Sequence, residues 1–194
     1  MATRKPSSPD WDRLFVTAAG QSGLFTTEQA AQAGYSPQLL AHHLRARRIL
    51  RVRRGVYRVV HFPESDNEDL VAVWFWSERA GIFSHQTALW LHQLLDVVPA
   101  RTHLTLPDGW RERRLRVPPR VVLHHAEIGH DECEWHGAVP LTSPGRTLND
   151  CAEQRLSPEL LTQAARQALR RGLVTREDLG SIDALLEAIG GLPE

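Results

Sequence analysis

The sequence predicts an α+β protein in which an N-terminal winged helix-turn-helix is followed by a mixed α/β domain, and three observations predict it. Two short helical patterns, each opened by its own cap, lie close together between residues 26 and 48. A hairpin pattern follows at once in Ile49–Val60, with Arg53-Arg54-Gly55 at its turn. Beyond residue 63, helical and alternating patterns interleave.

The first element, Trp11–Ala19, places Trp11, Leu14, Phe15 and Ala18 at helical spacing and is closed by Gly20 and Gly23. Thr26-Thr27-Glu28-Gln29 is an N-cap signature, in which a hydroxyl takes a free amide and a Glu or Gln reaches back. It opens a short alanine-rich helix over about Glu28–Ala33, stopped by Gly34. Ser36 then caps a helix with Pro37 at its first position, running to Arg47 or Arg48. Leu39, Leu40 and Leu44 are expected inside, leaving Gln38, His42, His43, Arg45 and Arg48 outside. Helix, tight turn and helix with a polar outer face is a helix-turn-helix. In the hairpin behind it, apolar residues alternate with arginine, so Val52, Val56 and Val59 should pack beneath a basic wing.

Charge agrees with this pattern. From Gln29 to Pro63 there is no acidic residue, yet Arg45, Arg47, Arg48, Arg51, Arg53, Arg54 and Arg58 fall within 14 residues. Residues 1–63 hold ten Lys/Arg against three Asp/Glu, a net of +7; residues 64–194 hold thirteen against twenty, a net of −7. Cations this dense repel one another unless an anion faces them, and a nucleic-acid backbone is the commonest such anion. Ser36, Gln38, His42, His43 and Arg45 are therefore the candidates for reading base edges in double-stranded DNA. Arg51, Arg53, Arg54 and Arg58 are the candidates for phosphate contact, with Arg48 on the same outer surface.

These residues carry a resemblance. Thr27-Glu28-Gln29-Ala30, Ala33-Gly34-Tyr35-Ser36, Leu44 and Ile49–Tyr57 resemble the N-terminal domain of AbiEi-type antitoxins. Ser84–His92 and Leu141–Asp150 are similar to later segments of the same family, so the resemblance spans roughly Leu24–Asp150. It implies a bacterial, cytoplasmic, non-enzymatic antitoxin of a type IV toxin–antitoxin pair. Such a protein represses its own promoter by binding operator DNA with inverted repeats, and it neutralises a nucleotidyltransferase-like toxin through its second domain. The same module heads longer proteins with a restriction-type nuclease domain; a chain of 194 residues fits the regulator form.

The expected organisation is a disordered lead-in at 1–9, the DNA-binding domain at 10–62 and the mixed domain at 63–194, with a hinge in His61–Asn67. Helices are expected at Leu70–Arg79 and Ser84–Leu95, from Ser143-Pro144 to about Glu153, from Ser157-Pro158 onward, and at Thr175–Ile189. Strands are expected at Arg101–Leu106, Val121–His125 and Ala138–Leu141. Trp74-Phe75-Trp76 should pack between elements, with a protein-docking surface as the alternative. His130, Cys133 and His136, with His124 and His125 upstream, are a weak zinc pattern whose spacing fits no common finger, so neither metal nor cofactor is expected. Arg146 and Asp150 should form a structural i, i+4 pair. Asp108, Glu112 and Glu127 would be the acidic set of a compact nuclease, the enzymatic rival; a stand-alone regulator without a toxin is the other. Two cysteines are too few for a disulfide framework and fit a reducing compartment. No apolar run reaches the roughly 20 residues of a membrane span.

Overall fold

The computed structural model describes residues 8–63, 67–180 and 182. The expected lead-in lies largely outside the described residues, as do the centre of the expected hinge and most of the expected helix at Thr175–Ile189. The chain mixes helices and strands in two compact units, Met1–Arg79 and Ala80–Glu194. The first unit thus extends past residue 62, where the sequence suggests a boundary, because one further helix folds with it.

In that unit, α1 (Trp11–Ala19) starts where Asp10 accepts the Arg13 amide and buries Leu14 and Ala18. Strand β1 (Leu24–Thr26) leads into α2 (Thr27–Gln32). Thr26 and Gln29 form the reciprocal capping box: the Thr26 hydroxyl accepts the Gln29 backbone amide, and the Gln29 side-chain oxygen Oε1 accepts the Thr26 backbone amide. Helix α3 (Pro37–Arg45) begins at Ser36, whose Oγ accepts the Leu39 amide. It ends in a Schellman turn, with the Arg48 amide donating to His43 O and the Arg47 amide to Leu44 O. Arg47 occupies the left-handed position at φ 52°, where glycine is usual. The chain then reverses into β2 (Ile49–Arg53) and β3 (Val56–Val59) through Gly55 at φ 78°. The antiparallel sheet runs β1-β3-β2. One core gathers Leu14, Ala18, Phe25, Ala30, Leu40, Ile49 and Val59.

Register decides what sits behind that sheet. Leu24, Arg58 and Leu50 are aligned across the three strands, on the face opposite the Phe25–Tyr57 stack. Helix α4 (Glu68–Trp76) contacts β1. Its Glu68 carboxylate lies 2.8 Å from Arg58 Nε, an ion pair in which the N–H is not aligned for a hydrogen bond. Arg58 Nη2 donates instead to Phe62 O at 2.9 Å. All six residues Leu70–Phe75 are buried. The Trp74-Phe75 segment is therefore packing material, each large side chain contributing about 1.5–3 kcal/mol of transfer free energy.

The second unit holds β4 (Ile82–Phe83), α5 (His85–Leu91), β5 (Thr102–Leu106), β6 (Val121–His125), β7 (Cys133–His136), β8 (Val139–Thr142), α6 (Pro144–Glu153) and α7 (Pro158–Arg170). Its mixed sheet runs β6-β5-β4-β8-β7, with β5–β6 and β4–β8 parallel. Leu89, Leu148, Leu161, Ala164, Ala165 and Ala168 close the helical core. Strand β4 escapes sequence reading because two residues between Gly81 and Ser84 carry no period. Strand β7 escapes because Glu134, with Asp131 and Glu132 just before the strand, makes the segment look solvated.

Replacing Arg58 with alanine leaves Glu68 without its cation, and should cost about 3 kcal/mol in urea unfolding. Arg54→Ala, at an exposed site, should change stability by less than about 0.5 kcal/mol.

Candidate nucleic-acid interface

A helix repeats every 3.6 residues, so Gln38, Ala41, His42 and Arg45 stand at i, i+3, i+4 and i+7 on one face of α3. All four are exposed. The opposite face carries Leu40 and His43, both buried. Ser36 is exposed, but its oxygen already serves as the cap; its hydroxyl proton remains available to an acceptor. Ala41 is a surface position that sequence reading passes over. A small methyl on the same face as Gln38 and Arg45 suits contact with a thymine methyl.

His43 does not belong to this face. Its ring stacks on Trp11 at 5.9 Å and meets Tyr35 edge-on at 5.5 Å. Burial, then the charges of Arg48 and His42, hold its pKa below the usual histidine value. The reason is periodic: position 43 lies three residues after Leu40, on the stripe that faces α1. Two adjacent histidines thus divide, His42 outward and His43 inward.

The arginines divide in the same way. Arg45, Arg47, Arg48, Arg51 and Arg54 are exposed and Arg53 is half-buried. Among the described residues none of these six forms an ion pair. Arg51 Nε only touches Arg53 O at 3.4 Å, the outer limit of a hydrogen bond. Arg58 is 8% exposed and committed to Glu68 and Phe62, so it is not a phosphate contact. Arg47 replaces it as a candidate; the Schellman turn places it in solvent between α3 and β2.

The hairpin differs from expectation in one further respect. Val56 and Val59 are buried, but Val52 is 36% and Leu50 48% exposed. Strand β2 is an edge strand, and a bulge between Arg51 and Arg53 takes Val52 out of register.

In the second unit, His130, Cys133 and His136 do not converge. The group of three potential metal ligands that does form among the described residues is His85, His103 and His124. Burial lowers all three pKa values, to about 3 for His85 and about 4 for His124, with the neighbouring histidines reinforcing the shift in those two. His92 is also lowered by burial. Asp108 is held by Arg111 at 2.7 Å, and Glu127 accepts the Asp108 amide at 3.0 Å; with Glu112 they form no ligand cluster. Arg146 pairs with Asp150 at 2.7 Å as expected and also with Glu132 at 2.8 Å. Burial raises Asp150 despite that guanidinium, whereas the Gly129 amide and then Arg146 keep Glu132 below its usual value.

Residues 12–60 match the sequence model of a family described as transcriptional regulator, AbiEi antitoxin. No curated protein matches the chain. A solved structure similar to it is the crystal structure of the RV2827C protein from Mycobacterium tuberculosis, with 15% identity and a TM-score of 0.44 over 81% of this chain and 74% of that one.

His43, His85, His92, His103 and His124 all have lowered pKa values in the fold. Unfolding restores them to about 6.5, so below that pH the unfolded chain binds more protons. Their contribution is complete above pH 6.5 and falls away below it, for His85 and His124 down to about 3 and about 4. The thermal midpoint should drop between pH 7 and pH 5, and His43→Phe, which keeps the stack without a titrating ring, should lessen the drop. Scanning calorimetry across that range checks both.

Proposed function

We propose that the chain is a DNA-binding antitoxin and autorepressor, and that its N-terminal unit is a winged helix-turn-helix. The single observation that carries this reading is the basic face itself. Gln38, Ala41, His42 and Arg45 line one exposed side of α3, and Arg47, Arg48, Arg51, Arg53 and Arg54, which follow in the turn and the hairpin, have no carboxylate partners among the described residues; of the hairpin cations Arg58 alone is paired, with Glu68. The match of residues 12–60 to AbiEi antitoxin regulators supports the same reading.

In this reading α3 enters the major groove of double-stranded operator DNA. Gln38, with its amide, suits an adenine edge, and Arg45 suits the O6 and N7 of guanine. Ser36 and His42 flank them. Arg47, Arg48, Arg51, Arg53 and Arg54 take phosphates on either side, releasing condensed counterions. A symmetric pair of such units fits inverted repeats. The second unit neutralises a nucleotidyltransferase-like toxin and performs no chemistry on DNA; the protein acts in the cytoplasm. No helix among the described residues is long and apolar enough to cross a membrane.

An electrophoretic shift on the chain's own upstream region should show complexes that weaken steeply with salt. Arg51→Ala/Arg53→Ala/Arg54→Ala should lower affinity for every sequence, with the log–log salt slope falling by about 3. Gln38→Ala should cost about 1–3 kcal/mol on the operator and little on random DNA. An unchanged salt slope in the triple variant would remove the wing from the DNA surface. For the toxin half of the proposal, co-expression with the adjacent gene should rescue growth that the adjacent gene alone arrests; without such rescue that half fails.

A further inference from the structure

We infer that His85, His103 and His124 form a binding site for a divalent transition-metal ion of the zinc type. The three residues are contributed by different elements: the start of α5, β5 and β6. Parallel pairing of β5 with β6 sets Thr105 opposite His124 and His103 opposite Val122. Residues two apart share a face, so His103 and His124 are diagonal neighbours on one side of the sheet. His85 reaches the same spot from the next strand over, since the Ser84 amide bonds His103 O. Its backbone is left-handed, at φ 53°, a region that residues other than glycine seldom occupy. The outcome is one potential ligand atom from each ring, all within 4.8 Å of one another.

Hydrogen-bond partners around the cluster can accommodate the tautomers that metal binding needs. His85 Nδ1 lies 2.8 Å from Ser84 Oγ. That oxygen also accepts the Thr105 hydroxyl at 2.7 Å, and its two lone pairs can take both protons. With its proton on Nδ1, His85 leaves Nε2 bare. His124 Nδ1 faces Gln154 Nε2 at 3.1 Å, an arrangement in which Nδ1 accepts. Exchange of the amide oxygen and nitrogen makes Gln154 the acceptor of Nδ1–H and leaves Nε2 bare. His124 Nε2 in turn faces His103 Nδ1 at 3.0 Å. Two imidazole nitrogens bound tetrahedrally at 2.0–2.1 Å would sit about 3.3 Å apart. The rings lie stacked, His85 on His124 with centroids 3.7 Å apart and planes 18° apart, and His103 on His124 at 5.2 Å and 9°. Sharing one ion therefore requires the rings to turn so that each lone pair points at it, as well as a small opening of the His103–His124 contact. An outer partner on the far nitrogen and a bare near nitrogen is how proteins orient metal-binding histidines.

The surroundings fit the same chemistry. Three imidazoles are borderline-soft ligands suited to zinc, cobalt or nickel rather than to magnesium or calcium. His85 and His103 are buried, with 7% and 8% exposure, so an ion bound there exchanges its water for nitrogen in a low-dielectric setting. His85 also lines a cavity of about 310 Å³, from which a fourth ligand can come. Cys151 lines that cavity too, but its sulfur is not part of the group of ligand atoms within 4.8 Å of one another, so it stands outside the ligand set.

The full chain, stripped with chelator and dialysed against Zn²⁺ alone, should retain one zinc per chain by elemental analysis. His85→Asn/His124→Asn should lose it, while Cys133→Ser/His136→Ala should keep it. Arg51→Ala/Arg53→Ala/Arg54→Ala should keep it as well, which separates this site from the DNA proposal. Co²⁺ bound to the unaltered chain reads the ligand set without any substitution. It should give intense visible bands of a tetrahedral site and no thiolate charge-transfer band in the near ultraviolet. Zinc lost on dialysis of the unaltered chain, zinc retained by the double histidine variant, a thiolate band, or the weak spectrum of six-coordinate cobalt would each overturn the assignment.

Discussion

The guanidinium of Arg58 fixes the layout of the first unit. Its strand, β3, is the centre of the sheet, so whatever Arg58 contacts becomes the back of that sheet. It contacts Glu68 and the Phe62 carbonyl, which draws α4 onto the unit and turns one strong cation away from solvent. The other arginines of the segment lie at the end of α3, in the turn after it, on the edge strand β2 and at the hairpin turn, where all but half-buried Arg53 are exposed. A buried pair of this kind adds little net stability compared with a well-packed apolar pair, but loss of either partner is expensive. Its effect is therefore on arrangement: it assigns inside and outside to side chains of one chemical type.

Much of this unit was legible in the residue order because local rules fix it. Thr26 with Gln29, Ser36 with Pro37, and Arg53-Arg54-Gly55 each specify a cap or a turn within a few residues, and all three hold. The division between His42 and His43 was legible in principle, since the apolar stripe at Leu39, Leu40 and Leu44 has His43 in its gap. Arg58 was not, because its partner Glu68 lies ten positions on, across a change of direction. The same limit hides His85, His103 and His124. Their sequence separations carry no period; only the register of β5 on β6 and the start of α5 bring them together. The pattern His130-x-x-Cys133-x-x-His136, which does have a period, instead runs from a short 3₁₀ turn into β7, and its ligands do not meet.

The two units use polar residues in opposite electrostatic regimes. On α3, the turn after it and strand β2, cations stand in water without ion-pair partners among the described residues, so their mutual repulsion is screened within about 8 Å at physiological salt. That surface stores little energy until a polyanion replaces its counterions. Around His85, low dielectric forbids charge, and three bases are kept neutral at a cost the fold sustains through Ser84, Thr105 and Gln154. Neutral bases crowded into one pocket gain by sharing a single cation, since one ion then satisfies three lone pairs.

Burial, not residue type, sets the chemistry in each case. Arginine next to water at position 54 is a mobile charge; arginine at position 58 is a strut. Histidine at position 42 can meet a base edge, whereas histidine at position 43 is an aromatic wall for Trp11. The formal neutrality of the whole chain therefore says nothing about its surface. Among the described residues, the exposed arginines from α3 to the hairpin turn form no ion pair, while Glu68 pairs with the one arginine that faces inward. By pairing inward, Glu68 adds no negative charge to the basic face.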